Sequence, residues 1–99
     1  TVVMATKGYP GEYKKGFLIK GLQETYDVQD LTVFHAGTLR NEEGDLISNG
    51  GRVLCVTATG IDLREARGKV YRALRMIDWP EGFYREDIGW RALEQDDAA

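Results

Sequence analysis

Residues 52–59 read Arg-Val-Leu-Cys-Val-Thr-Ala-Thr, a run that is apolar on both faces of an extended strand. Val53 and Cys55 fall on one side, Leu54, Val56 and Ala58 on the other. A strand with one solvated face alternates apolar and polar residues; a strand buried on both faces does not. This run is therefore expected to be the central strand of a sheet, and the rest of the chain has to supply its neighbours and its cover.

Candidate neighbours lie on both sides of it. Residues 1–6 read as a short strand, and residues 31–39 (LTVFHAGTL) read as another, rich in β-branched and aromatic side chains. Residues 16–20 form a second short apolar run, ended by Gly21. Asn41-Glu42-Glu43-Gly44 is a turn, after which residues 45–48 pair back as a hairpin arm. Residues 8–16 (GYPGEYKKG) hold Gly8, Pro10, Gly11 and Gly16 and read as a loop.

Cover comes from a helix. Leu63, Ala66, Val70, Ala73, Leu74 and Ile77 follow the three/four spacing of one buried face, which predicts a helix over residues 62–78. Asp62 can cap its first turn with Glu65 three residues on, and Pro80 prevents continuation past Trp79. Residues 83–90 (FYREDIGW) form a compact tail element, residues 91–95 add a helical turn, and residues 96–99 fray. Strands first and one long helix after them give the α+β class.

Ninety-nine residues make one domain, able to bury roughly two-thirds of its unfolded surface. At 42% hydrophobic and 29% charged the chain has the composition of a globule rather than of a disordered segment. A formal charge of −3 argues against a nucleic-acid partner, which would call for a concentrated basic surface. The opening TVVMATKGYP carries no long apolar stretch of a secretion signal, and no run approaches the roughly 18 residues of a membrane span. No membrane partner is expected. The lone Cys55, set in an apolar run, reads as a small buried hydrophobe and fits a reducing compartment. Because the chain opens directly on a strand, it is expected to be cut from something longer.

The sequence has no GxxxxGK[ST] loop, no GxGxxG entering a helix, and no CxxC or HExxH. With His35 as its sole histidine, neither a zinc site nor a Ser/His/Asp set is expected. No catalytic and no metal-binding residue is assigned. The most chemically suggestive piece is Asn49-Gly50-Gly51-Arg52. Two glycines let backbone N–H groups approach a ligand, and the guanidinium offers a donor fork that fits a phosphate or carboxylate. The same residues also read as a tight turn into a strand with Arg52 solvated. The loop at Gly8 and Tyr9 can present Tyr9 and Tyr13 as walls and Lys14 or Lys15 as cations, or can be plain surface. Arg85, beside Asp87, is either ligand-facing or held in a structural salt bridge. His35 shares a strand face with Leu31 and Val33 and reads as a core or interface residue with one hydrogen bond. Arg64, Arg67, Lys69, Arg72 and Arg75 point away from the apolar stripe and read as a solvated face.

Taken in order, VVMA, GYPGEYKKG, VFHAGT, NGGRVLCVTATG and FYREDIGWRAL resemble the C-terminal domain of the phosphoribosylamine–glycine ligases (glycinamide ribonucleotide synthetases) of the ATP-grasp superfamily. The resemblance runs from Val2 to about Glu94 and is weakest over residues 22–30 and the acidic tail. NGGRVL, VFHAGT and YREDIG at these separations make it specific.

The resemblance implies a small, mostly antiparallel half-barrel with one main helix, a rudimentary barrel-sandwich of single-hybrid type like a reduced biotin-carboxylase C-terminal domain. It implies that residues 1–99 are the C-terminal domain of a longer ligase whose ATP-grasp core and N-terminal domain lie elsewhere. The activity implied is nucleotide-binding, ATP-dependent ligation in cytoplasmic purine biosynthesis. Glycine is joined to 5-phosphoribosylamine through glycyl phosphate, giving glycinamide ribonucleotide, ADP and phosphate. ATP and Mg2+ or Mn2+ would bind mainly outside this segment, which by itself would not turn over ATP. The partners implied are the ATP-grasp core of the same chain and the small molecules phosphoribosylamine and glycine. Carried onto this sequence, the substrate-side residues are Asn49, Gly50, Gly51 and Arg52, then Gly8 and Tyr9, then Arg85 and Asp87. The alternative is a non-catalytic packing module of this or a related ATP-grasp carboxylate–amine ligase.

Overall fold

The computed structural model describes residues 1–90; the helical turn expected over residues 91–95 and the fraying of residues 96–99 lie outside them. The elements in chain order are β1 (Val2–Thr6), α1 (Leu22–Thr25), β2 (Leu31–His35), β3 (Thr38–Arg40), β4 (Leu46–Ser48), β5 (Arg52–Ala58), α2 (Leu63–Met76) and β6 (Gly82–Phe83). The main sheet has the order β2-β5-β1-β6 with every pair antiparallel, and β3 and β4 form a separate two-stranded sheet. The main sheet is open, with β2 and β6 at its edges. This is the unclosed, antiparallel α+β arrangement with one main helix that the resemblance implies. No helix among the described residues is long and apolar enough to cross a membrane.

β5 is an inner strand, as its composition predicts, but it is not buried on both faces: Cys55, expected to be buried, is half-exposed between Val3 and Phe34, which are exposed. Val53, Leu54 and Val56 are fully buried. Val2 and Met4 of β1 stand opposite Val56 and Leu54, and Val33 of β2 stands opposite Val56 from the other side. This face of the sheet is covered by Val70, Tyr71, Ala73 and Leu74 of α2, with Ile77 and Trp79 continuing the cluster past the helix end. Asp62 caps α2 by accepting a hydrogen bond from the Glu65 amide at 2.8 Å. The helix stops at Met76, two residues short of the sequence reading. Ile77 turns extended, and Asp78 bonds to Lys20 in both directions. Pairing with the 16–20 run thus ends the helix before Pro80 does. The run itself makes only isolated bridges, Leu18 to Ile47 and Lys20 to Asp78, and is not a strand.

The largest difference from the sequence reading is in residues 31–39. They divide into β2 and β3, which belong to different sheets. The break lies at Ala36 and Gly37, whose amides both donate to the Val53 carbonyl, at 3.0 and 3.1 Å. That doubled acceptor follows from a bulge in β5. Met4 faces Leu54 while Ala5 faces Arg52, so Val53 is an extra residue with no partner on β1. The β-propensity of LTVFHAGTL is unchanged by the division, which is why composition alone joined the two halves.

Candidate functional site

The bulge, the Gly37 break and the loop before β5 make one corner. Asn49 N–H donates to the Gly37 carbonyl at 2.8 Å. A Cβ at Gly37 would stand 2.5 Å from the Arg52 carbonyl oxygen, so the backbones of VFHAGT and NGGRVL touch where only glycine fits. From the other side Thr6, 2% exposed, holds the loop twice: its amide donates to the Gly51 carbonyl and its hydroxyl to the Gly50 carbonyl, both at 2.7 Å. These bonds occupy the loop's carbonyls and fix its path.

Tyr9 joins this corner. Its amide bonds to the Thr6 carbonyl at 3.0 Å, and its peptide bond to Pro10 is cis. Its ring lies so close over Gly51 that a Cβ there would overlap ring carbons. Tyr13 meets Tyr9 edge-on, with centroids 6.2 Å apart. Tyr9, Gly51, Arg52, Val3, Ala36 and Cys55 line an open depression of about 490 Å³. Two loops singled out separately in the sequence, at Gly8–Tyr9 and at Asn49–Arg52, are thus brought together, with Tyr9 as a wall. Arg52 is exposed, and its guanidinium has no hydrogen-bond or ion-pair partner among the described residues. A free donor fork beside an aromatic wall and backbone glycines can hold an anion such as a phosphate. Asn49 is exposed and Gly50 half-buried, and neither lines the depression. Gly8 is exposed at φ 101° and turns the chain into Tyr9 without lining the depression. Tyr13 and Lys14 line a different one, with Phe17 and Glu81.

Arg85 and Asp87 pair with each other. Arg85 Nε and Nη2 donate to Asp87 Oδ1 and Oδ2 at 3.0 and 2.8 Å on an exposed surface. The bond from Arg85 holds the Asp87 carboxyl below the usual carboxylate range, and the same bond raises the Arg85 guanidinium above its ordinary value. Their segment is clasped by α2. The Tyr71 hydroxyl donates to the Arg85 carbonyl at 2.6 Å and accepts from the Ile88 amide at 3.1 Å. Arg67 donates from Nε to the Ile88 carbonyl and from Nη2 to the Glu86 carbonyl, both at 2.8 Å, and stacks 4.6 Å over the Tyr71 ring.

That clasp corrects one expectation. The basic residues of the helix are not uniformly solvated: Arg67 holds the tail, and Lys69 bonds the Thr59 carbonyl at 3.0 Å while pairing with Glu65 and Asp30. The bond to Glu65 raises the Lys69 amine above its ordinary value. Sequence reasoning also missed Thr6, Ala36 and Cys55 at the corner. The i,i+4 pair Arg67 and Tyr71 was a readable signal; the bulge that brings Ala36 over β5 was not. His35 keeps the expected single hydrogen bond, Nδ1 to Thr38 Oγ1 at 2.9 Å, but it is exposed rather than in the core: it sits on the edge strand, although Leu54 opposite it on β5 is fully buried. No group of three or more His, Cys, Asp or Glu side chains among the described residues could hold a metal ion. The depression offers binding groups and no proton-transfer pair.

Against known proteins, the family model described as "Phosphoribosylglycinamide synthetase, C domain" matches residues 1–91. The chloroplastic phosphoribosylamine–glycine ligase of Arabidopsis thaliana is 56% identical over 99 residues, covering 99% of this chain and 19% of that protein. The phosphoribosylamine–glycine ligase of Brucella melitensis is 49% identical over 98 residues, covering 99% of this chain and 23% of that one. A crystal structure of phosphoribosylamine–glycine ligase from Thermotoga maritima superposes with a TM-score of 0.70 at 34% identity, over 86% of this chain and 20% of that one. The chain spans about a fifth of the length of these relatives.

Proposed function

Because this chain belongs to the phosphoribosylglycinamide synthetase C-domain family, we propose that it serves as the substrate-side domain of a phosphoribosylamine–glycine ligase of purine biosynthesis. The reaction joins glycine to 5-phosphoribosylamine with ATP, giving glycinamide ribonucleotide, ADP and phosphate. Residues 1–99 form the C-terminal domain, and the ATP-grasp core of the same chain is their partner. That core holds ATP and Mg2+ or Mn2+; the described residues of this domain have no acidic cluster to hold the metal. The compartment is the cytoplasm, although the Arabidopsis relative is named as chloroplastic.

One observation carries the substrate-side reading. The Arg52 guanidinium, without a partner among the described residues, stands in the depression that Tyr9 and Gly51 share. Arg52 binds the 5-phosphate of phosphoribosylamine as a charge-assisted donor. Tyr9 and Gly51 line the depression beside it, Gly8, Asn49 and Gly50 adjoin them in the chain, and Arg85 with Asp87 stand as the last and weakest candidates because each already satisfies the other.

The test is Arg52→Ala in the full-length ligase. Loss of a hydrogen bond to a charged group, about 1.5–3 kcal/mol, is expected to raise the Michaelis constant for phosphoribosylamine by roughly 10- to 150-fold, with that for glycine unchanged. An unchanged phosphoribosylamine constant would remove the phosphate role and leave the packing-module reading. That second reading draws support from the sheet face not covered by α2, where Val3 and Phe34 are 40% and 55% exposed.

A further inference from the structure

His35 takes no part in the substrate reading, yet it lines a second hollow. It stands opposite Leu54, on the helix-covered side of the main sheet, whereas Cys55 of the Arg52 depression faces the other side. An open hollow of about 330 Å³, the size of a small-metabolite site, lies here between α1, the end of β2 and the β3–β4 hairpin. It shares no lining residue with the depression.

Its nitrogen donors are held by bonds that leave each with capacity for a ligand. His35 Nδ1 is bonded to Thr38 Oγ1 at 2.9 Å, leaving Nε2. Arg40 donates from Nη1 to the Gly44 carbonyl at 2.9 Å across the hairpin, leaving Nε and Nη2. Lys20 is anchored by its backbone, which exchanges hydrogen bonds of 2.9 and 2.7 Å with Asp78, and its amine has no partner among the described residues. Two carboxylates, Glu24 of α1 and Asp45 before β4, line the same hollow, and neither pairs with Lys20 or Arg40. Tyr26 supplies an aromatic wall. A bare anion here would meet the two carboxylates, and a bare cation would meet Lys20 and Arg40. A molecule carrying both signs satisfies both sets.

We propose that this hollow binds a small phosphate ester that also carries an ammonium group. Arg40, Lys20 and His35 Nε2 take the phosphate oxygens, and Glu24 and Asp45 take the ammonium. The bonds that already orient His35 and Arg40 reduce the ordering that binding would otherwise require. None of these residues belongs to the substrate reading, so the hollow stands or falls separately from it.

Fluorine NMR of the full-length protein, with meta-fluorotyrosine placed at Tyr26, tests this, and the same label at Tyr13, which lines another hollow, is the reference. O-phosphoethanolamine is expected to shift the Tyr26 signal saturably and leave that of Tyr13 in place. Ethyl phosphate, which lacks the ammonium, and ethylamine, which lacks the phosphate, should each bind about tenfold or more weakly. Arg40→Gln should weaken O-phosphoethanolamine by about tenfold, and Glu24→Gln with Asp45→Asn should bring it to the affinity of ethyl phosphate. These side chains are exposed, and an unchanged Tyr13 signal verifies that each variant is folded. The absence of a saturable Tyr26 shift would overturn the proposal. So would equal affinity for ethyl phosphate in the wild-type protein, or an affinity for O-phosphoethanolamine that neither variant changes.

Discussion

Arg52, at the start of β5, and Arg85, on the segment after β6, both stand exposed, and the loop leading into Arg52 differs from the segment carrying Arg85 in what its side chains meet. The loop before Arg52 is tied through its backbone: Thr6 takes the Gly50 and Gly51 carbonyls, and Gly37 takes the Asn49 amide. No described side chain engages the Arg52 guanidinium. The Arg85 loop is tied by side chains, Arg67 and Tyr71 reaching its carbonyls, and Arg85 itself closes a two-bond fork on Asp87. A loop fixed by its backbone leaves its side chains available for a ligand. A loop whose own charges pair with each other has little left to offer one. The contrast favours Arg52 as the anion contact and gives Arg85 a local structural role.

The comparison can be sharpened by loosening each loop in turn. Arg67→Met removes two charged-donor hydrogen bonds and the stacking on Tyr71. It is expected to cost about 1.5–3 kcal/mol of stability by urea unfolding and to speed exchange of the Ile88 amide, while phosphoribosylamine kinetics stay close to wild type. Equal loss of substrate affinity would break the assignment of that clasp to architecture. Gly51→Ala puts a methyl group where the Tyr9 ring lies. Overpacking of this kind costs about 1–3 kcal/mol, and here it also displaces Tyr9 from the wall, so a smaller thermal shift is expected with a weaker substrate constant.

The smallest effect belongs to the Arg85–Asp87 pair. Its partners are exposed, and Arg85→Ala is expected to leave the urea unfolding midpoint unchanged within measurement error. Its pH signature is still readable. The bond from Arg85 lowers the Asp87 pKa in the folded chain, so its small contribution is present above the unfolded carboxyl value of about 3.9 and is lost as pH falls through the folded value. Carboxyl NMR titration should find Asp87 below the usual range, and Arg85→Ala should return it upward. No movement would show that the pair does not persist in solution.

Much of this architecture could be read from residue order. The two-faced apolar run gave an inner strand, the three/four spacing gave α2, and Asn41 to Gly44 gave the β3–β4 hairpin, because each depends on local pattern. The division of residues 31–39 could not be read. It depends on one unpaired residue, Val53, whose effect is felt far back in the chain at Ala36 and Gly37. Of the site, residue type suggested the glycines and Arg52, but only the fold brings Tyr9 over Gly51. The i,i+4 spacing of Arg67 and Tyr71 hints at their contact, but which carbonyls Arg67 meets depends on where residues 85–88 fold back, which residue order does not give.

The account turns on which arginine meets the phosphate, and ribose 5-phosphate as a competitive inhibitor of the full-length ligase asks that most directly. With wild type, Arg52→Ala and Arg85→Ala measured side by side, the inhibition constant should weaken by about tenfold or more for Arg52→Ala and stay within about twofold for Arg85→Ala. Equal constants for wild type and Arg52→Ala, or a larger loss for Arg85→Ala, would contradict it.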